Sequence, residues 1–383
     1  MNKYSIEPSH KKILQVISSE EDCTIPQIAK ALTISVPTAQ KLTQEIIDAG
    51  IIYNAGKVQK GEGRPANVYR VLDYSLQVIA VEILMKHFRI AVVDLNGNIT
   101  HYQDIPAFEL RDDEECLNFI VRQIVDFAKC HHIRPVGIGI SITGRVNINV
   151  GRSQSFFSNA PKSISDLLGE HLDLPVVLTN DTMSYGWYEK LIGHLVGVDH
   201  AFYVNWSRGL GLSMFSNGHM LQGGNGFAGE FGHMQIGKTT RPCICGMRNC
   251  LGSELSGHAI ERDFQDLMAT FQDNPYGDEV TYHQVVELAL GGDVNAIEVL
   301  RHASRRLGEE IGNLLSLMNP EVVVISGTLY KAKEIIFDEI LKGASEKALP
   351  ESFKSCSFRI IPWEPEYGLK GVAMYFYRMF EFI

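Results

Sequence analysis

His233, Cys243, Cys245 and Cys250 fall within one 18-residue stretch, HMQIGKTTRPCICGMRNC. One imidazole and three thiolates are the donor set of a closed tetrahedral Zn2+ site. Four protein ligands leave no open coordination position, so the metal expected here is structural rather than catalytic. Gly246 supplies the sharp turn that brings Cys250 back to the other three. The alternative is three free thiols buried beside an ordinary histidine, and the ligand spacing argues against it. Chemistry is then expected from neighbouring side chains. Glu230, in GFAGEFGH, is positioned for a metal-stiffened loop to hold it toward a small polar ligand. Asp181 closes PVVLTND, preceded by Asn180. A carboxylate at the C-terminal end of a strand can accept a proton from a sugar hydroxyl or hydrogen-bond to it. The competing reading makes Asp181 a helix N-cap. Asn159, in the polar loop SFFSNAPKS, is a weaker candidate of the same kind. GRVNINVG, SRGLGLSMFSNG and ISGTL are Gly-bearing turns that could admit phosphates, although β-turns alone account for such glycines.

The elements that must position these residues follow from periodicity. Residues 8–50 pattern as three short helices. Around 9–18, Ile13, Leu14 and Ile17 share one face. Thr24 and Gln27 form a capping box for the second helix, with Pro26 tolerated in its first turn. After the turn Thr33-Ile34-Ser35, Ser35 caps a third helix with Leu42, Ile46 and Ile47 inward and Gly50 as its stop. This is the helix-turn-helix pattern, whose second helix enters the major groove. From Ser35 onward, Thr38, Gln40, Lys41, Thr43 and Gln44 are expected to face outward, suited to base edges and phosphates. Residues 51–53 and 68–71 pattern as a hairpin. Between them lies a flexible cationic wing with Lys57, Lys60 and Arg64. A three-helix protein-interaction module is the alternative.

After Asp73 strands alternate with helices in the order of an α/β lobe, and a second such lobe follows from about residue 200. The expected domains are therefore 1–72, 73–195 and 196–383, with the final helix free to pack on the first lobe. A cleft between two lobes is the natural seat for a small molecule.

Whole-chain properties exclude several classes. The 383 residues are 45% hydrophobic and 21% charged, as in an ordinary globular protein. No apolar run reaches the ~18 residues of a membrane span, and the N-terminus lacks a signal-peptide core, so a cytoplasmic location is expected. Seven cysteines, three clustered with a histidine, fit a metal in a reducing compartment better than a disulfide framework. Net charge is −10, yet residues 1–72 carry nine cations against seven anions, a net of +2 that leaves −12 for the remainder. An acidic body repels nucleic acid, so any DNA contact belongs to the first segment.

GGNGFAGEFGHMQIG followed by CICGMRNC, together with GIGISITGRV, VVLTND and an N-terminal segment ending in GRP, resembles the ROK family of sugar kinases and repressors. The winged segment is similar to that of its repressor branch, which includes xylose and N-acetylglucosamine repressors. The resemblance implies a two-lobed actin-like sugar kinase fold, each lobe ribonuclease-H-like, behind a winged helix. It implies zinc at His233, Cys243, Cys245 and Cys250. Its sugar-binding set falls on Asn159, Asn180, Asp181, Glu230 and His233, with Asp181 at the kinases' catalytic-base position.

The chain also departs from that pattern. Where the kinases carry D-x-G-G-T, this chain reads Glu82-Ile83-Leu84-Met85-Lys86. Ser207-Arg208-Gly209-Leu210-Gly211 replaces G-T-G-x-G, Ser326-Gly327 replaces G-G, and Cys250-Leu251-Gly252 replaces C-L-E, with Glu254 two residues on. Phosphoryl transfer is mostly positioning and charge neutralisation, so a broken phosphate cradle leaves little catalysis. The expectation is a repressor responsive to a sugar or sugar phosphate, binding a palindromic operator as a homodimer or homotetramer and not acting as an enzyme. Effector binding is expected to alter lobe closure. An ATP-dependent hexokinase with a DNA-binding appendage, and a sensor of a protein partner, are the alternatives.

Overall fold

The computed structural model describes residues 6–19, 22–59, 65–72, 75–131, 135–271, 275–276 and 279–382. Lys60 and Arg64 of the expected wing lie outside these residues. At the N-terminus stand α1 (Pro8–Ser19), β1 (Cys23–Thr24), α2 (Ile25–Ala31), α3 (Val36–Asp48), β2 (Ile52–Val58) and β3 (Ala66–Val71). The Thr24–Gln27 capping box starts α2, with the Thr24 amide donating to Gln27 Oε1 at 3.0 Å. Ile13, Leu14, Ile28, Ala39 and Ile46 are buried. The hairpin β2–β3 gains a third strand the periodicity did not reveal, because β1 pairs with β3 through Cys23 and Thr24. Two residues are too few for a period to register.

Ser35 Oγ accepts from the Thr38 amide at 3.2 Å and lies 2.7 Å from the Thr38 hydroxyl. Ser35→Ala is expected to cost about 1 kcal/mol, read as a lowered urea midpoint in far-UV circular dichroism. Thr43 corrects the expected recognition face: it is 1% exposed, on the inner side of α3 with Ala39 and Ile46. The i, i+4 spacing from Ala39 places it there.

Next come β4 (Gln77–Leu84), β5 (His87–Asp94), β6 (Ile99–Ile105), α4 (Glu114–Cys130), β7 (Gly137–Ile142), β8 (Val146–Asn147), β9 (Arg152–Ser153), α5 (Ile164–Leu172), β10 (Val176–Asn180) and α6 (Asp181–Leu191). Then follow β11 (Ala201–Trp206), β12 (Leu210–Ser216), β13 (His219–Met220), a 3-10 turn Phe231–His233, α7 (Gly252–Leu255), α8 (Gly257–Met268), α9 (Tyr282–Leu290), α10 (Val294–Met318), β14 (Val322–Ser326), α11 (Lys333–Lys347), α12 (Pro350–Ser355), β15 (Ser357–Ile360) and α13 (Glu366–Met379). Sheet orders are β10-β7-β4-β5-β6 and β13-β12-β11-β14-β15. In each, an antiparallel meander of three strands is extended by two parallel strands on the other side of the first. The same topology therefore occurs twice, as two ribonuclease-H-like sheets.

The chain divides into two compact units, 1–184 with 368–383, and 185–367. The division falls inside α6, at 184/185 rather than at the expected 195/196, and the chain returns to the first unit within α13. The winged helix belongs to the first unit. There α13 lies on one face of the sheet, where β7 offers the small residues Gly137, Gly139 and Ser141: a Cβ at Gly139 would meet the Val372 carbonyl at 2.9 Å. Farther along α13, the Tyr377 hydroxyl donates between the Leu76 and Val93 carbonyls, at 2.7 and 2.9 Å. The opposite face carries Ile79, Val81, Ile83, Ile138 and Ile140 against Ile120, Ile124 and Leu168 of α4 and α5. In the second unit Val204, Val323 and Ile325 pack with Phe264, Leu307 and Ile311.

Candidate metal centre and ligand-contacting residues

His233 ends the 3-10 turn Phe231–His233. Two glycines let that turn lie against β12. A Cβ at Gly229 would meet the Leu212 carbonyl at 2.0 Å, and one at Gly232 the Leu210 carbonyl at 2.4 Å. Beyond it the chain forms a knuckle: Cys243 N donates to Met247 O at 2.8 Å and Gly246 N to Cys243 O at 3.0 Å. Gly246 holds φ +88°, as the expected sharp turn requires. Leu251 N donates to Met234 O at 2.9 Å, so the limb carrying Cys250 runs beside the limb leaving His233.

The four donor atoms of His233, Cys243, Cys245 and Cys250 lie within 4.8 Å of one another. Cys243 Sγ is 3.4 Å from His233 Nδ1, and Cys245 Sγ is 3.6 Å from Cys250 Sγ. Bonds of about 2.3 Å to sulfur and 2.0 Å to nitrogen make tetrahedral edges of about 3.5–3.8 Å, so the cluster fits a metal ion of that size. Burial first, then the Cys245 and Cys243 sulfurs, push the Cys250 thiol up to about 12. A cation among the sulfurs reverses that ordering, because coordination deprotonates a thiol.

With Nδ1 of His233 toward the sulfurs, its other nitrogen is directed elsewhere. His233 Nε2 lies 3.9 Å from Glu230 Oε2. One residue can thus serve the metal with one nitrogen and a ligand with the other, which reconciles the two roles expected of His233.

Asn180 rather than Asp181 caps α6: its Oδ1 accepts from Met183 N at 2.7 Å. Asp181 stands one residue inside, accepting from Thr182 N at 2.7 Å and from the Thr143 hydroxyl. Although the residue as a whole is only half-buried, desolvation of the carboxyl raises it from its ordinary value, opposed by those hydrogen bonds. Thr143, at the end of GIGISIT, was missed from sequence. A polar residue directly after a buried strand was the available signal. Asn159 is exposed in the loop after β9. The Arg152 guanidinium fixes that loop, donating to the carbonyls of Ser158 at 3.4 Å and Ala160 at 2.9 Å.

At the turns that differ from the kinases' phosphate motifs, the polar side chains Glu82 and Ser207 are engaged within the chain. Residues 82–84 are strand, and Met85-Lys86 form a tight hairpin turn with Leu84 opposite His87. Glu82 is fully buried and accepts from Arg89 Nη1 across the hairpin at 2.6 Å. Its carboxylate is thus neutralised from within. Ser207 Oγ donates to Asn205 Oδ1 at 3.0 Å and accepts from the Thr328 amide at 3.0 Å. Its carbonyl accepts from Gly257 N at 2.8 Å.

On the winged helix, Ser35, Thr38, Gln40, Lys41 and Gln44 are exposed along α3, and Lys57 on β2. Lys41 is 78% exposed and 3.9 Å from Glu45, and Gln44 donates to Asp48 at 2.8 Å. No described helix is long and apolar enough to cross a membrane.

The pattern of the ROK family matches residues 78–374. The DNA-binding transcriptional repressor Mlc of Escherichia coli is 22% identical over 91% of this chain and 87% of its own. The xylose repressor of Bacillus spizizenii is 21% identical over 90% and 88%. Among solved structures, a ROK family transcriptional regulator homologous to E. coli Mlc aligns with TM-score 0.83 and 24% identity, over 97% of this chain and 96% of that one. A ROK family glucokinase from Streptomyces griseus, in complex with glucose and AMPPNP, aligns with TM-score 0.66 and 23% identity, over 78% of this chain and 98% of its own.

Proposed function

The chain belongs to the ROK family, and from that premise we propose that it is a DNA-binding transcriptional repressor released or engaged by a sugar, without kinase activity. The observation that carries this is a winged helix ahead of a family body that lacks the kinases' phosphate-turn glycines and ties Glu82 and Ser207 into its own hydrogen bonds. Relatives named as repressors match it over about nine-tenths of its length. The recognition helix is α3, with Ser35, Thr38, Gln40, Lys41 and Gln44 toward DNA and Lys57, Lys60 and Arg64 on the wing. Two copies on a palindromic operator supply the two recognition helices such sites need. Asn159, Asn180, Asp181, Glu230 and His233 form the sugar-binding set. Zn2+ is held by His233, Cys243, Cys245 and Cys250. The zinc supplies no reaction step: it orients His233 and with it the direction of a ligand-facing nitrogen.

An effector that binds one conformation better shifts operator affinity by its differential affinity, commonly about 1–3 kcal/mol or 5- to 150-fold. A thermal-shift screen over sugars, sugar phosphates and Mg-ATP tests the reading. A ligand at about 100 times its Kd adds about 2.7 kcal/mol. Stabilisation by a sugar and none by nucleotide is expected; the reverse outcome defeats the proposal. In gel shifts, Lys41→Ala is expected to weaken operator and non-operator DNA alike several-fold and to lower the salt slope by about 1.8, that is about 0.9 for each of the two protomers. A Lys41→Ala protein with parental affinity and slope would remove α3 from the interface.

A further inference from the structure

We infer that Arg306, with Glu254, holds the metal loop in its binding geometry before any metal arrives, as positioning residues for the metal centre. The inference rests on reading the His233–Cys250 cluster as a zinc site. Arg306 lies mid-way along α10 and is 7% exposed. Its Nη2 donates to the Ile236 carbonyl at 2.9 Å, and its Nε to Glu254 Oε1 at 3.2 Å. The other Glu254 oxygen accepts from the Lys238 amide at 2.6 Å. Two backbone groups of the limb leaving His233 are thus gripped by one ion pair. Glu309 at 3.2 Å and Glu310 complete the guanidinium's partners, and Asn313 donates to Glu310 at 3.0 Å.

The limb's other edge is tied to the Cys250 side. Gly237 N donates to Asn249 O at 2.9 Å, and Leu251 N to Met234 O at 2.9 Å. His233 and Cys250, the first and last ligands, therefore stand on limbs registered by protein hydrogen bonds alone. A zinc finger lacks such a scaffold and folds only with its metal. Here a planar fork that contacts one carbonyl and several carboxylates at once does that work. Lysine, a point charge on a flexible stem, cannot reproduce it. Glu254 is also explained: it does not replace the glutamate missing after Cys250-Leu251, because both its oxygens are engaged with the loop and α10.

Full-length parent, Arg306→Lys and Glu254→Gln proteins, stripped of metal by chelation, are compared by amide hydrogen exchange. Each is then titrated with Zn2+ against a chromophoric chelator. In the metal-free parent, residues 234–238 are expected to stay protected. Both variants are expected to exchange there at least tenfold faster and to bind Zn2+ at least tenfold more weakly, with β11 and β14 protected as in the parent. If one variant fails to fold, seen as lost protection in those strands, the other decides. Unprotected 234–238 in the metal-free parent, or parental zinc affinity in the folded variants, overturns the inference. A parent that takes up no zinc overturns the zinc reading instead, and the exchange data still decide whether the clamp orders the loop.

Discussion

Asp181→Asn is expected to melt above the parent protein at pH 7 and to bind sugar about 5- to 12-fold more weakly. The two effects come from one carboxylate. Burial raises the Asp181 carboxyl above its ordinary value, against the hydrogen bonds of Thr182 and Thr143. A carboxyl whose folded pKa exceeds its unfolded one contributes its full stability only below the unfolded value. That contribution is lost as pH rises through the folded value. Near neutrality the charge is therefore a net cost. The amide removes that cost and keeps an oxygen for the Thr182 amide. The gain in melting temperature should shrink as pH falls into the ordinary carboxylate range, where the parent carboxyl is itself neutral.

Sugar binding should change the other way. A hydrogen bond to a charged acceptor contributes about 1–1.5 kcal/mol more than one to a neutral acceptor, or roughly 5- to 12-fold in affinity. The amide retains an acceptor but not the charge. Calorimetric titration with the sugar found by thermal shift, and melting curves across pH, measure the two halves. A variant melting below the parent at pH 7, or binding sugar as tightly, would contradict the account. Strain kept at a binding residue at the expense of stability is the usual pattern of functional sites. It also separates Asp181 from Asn180, the true cap, whose replacement should lower rather than raise the melting temperature.

Much of this was legible from sequence for particular physical reasons. Ligand spacing identified the cysteine cluster because three thiols and an imidazole so close together have few other uses. The Thr24 box and the Ser35 cap were readable because capping is local chemistry between residues three apart. Thr43 was misread because hydroxyls appear on either face of a helix, and only the packing with Ala39 and Ile46 decides. Arg306 and Glu254 were invisible as a pair: fifty-two residues separate them, and nothing on α10 marks Arg306 as reaching a distant loop. The division inside α6 was also hidden, since a helix that crosses between units keeps one period throughout. The altered phosphate turns were half legible. Missing glycines were plain in sequence, whereas the neutralisation of Glu82 by Arg89 required the register of β4 with β5.

Cys245→Ser is expected to release zinc and abolish sugar binding while leaving operator binding intact. Structural zinc binds peptides with about 10–16 kcal/mol of apparent free energy at pH 7. A quarter of that, for one of four ligands, already exceeds a 50-fold loss of affinity, and a serine hydroxyl is a poor substitute for a thiolate. Without the ion, His233 Nδ1 keeps the Cys243 sulfur at 3.4 Å but loses the metal bond that would fix the ring. Nε2 then loses its fixed relation to Glu230, and the ligand loses two contacts together. The backbone should hold, because Arg306 and Glu254 grip the loop independently of metal. The fall in melting temperature should accordingly be modest, unlike the collapse of a zinc finger. Operator affinity should persist because α3 and the wing belong to the other compact unit. Zinc content by elemental analysis, calorimetric titration and gel shift form the test. A zinc-free Cys245→Ser protein that binds sugar like the parent would show that the metal does not orient His233. One that unfolds altogether would show that the clamp on the loop is too weak to replace it.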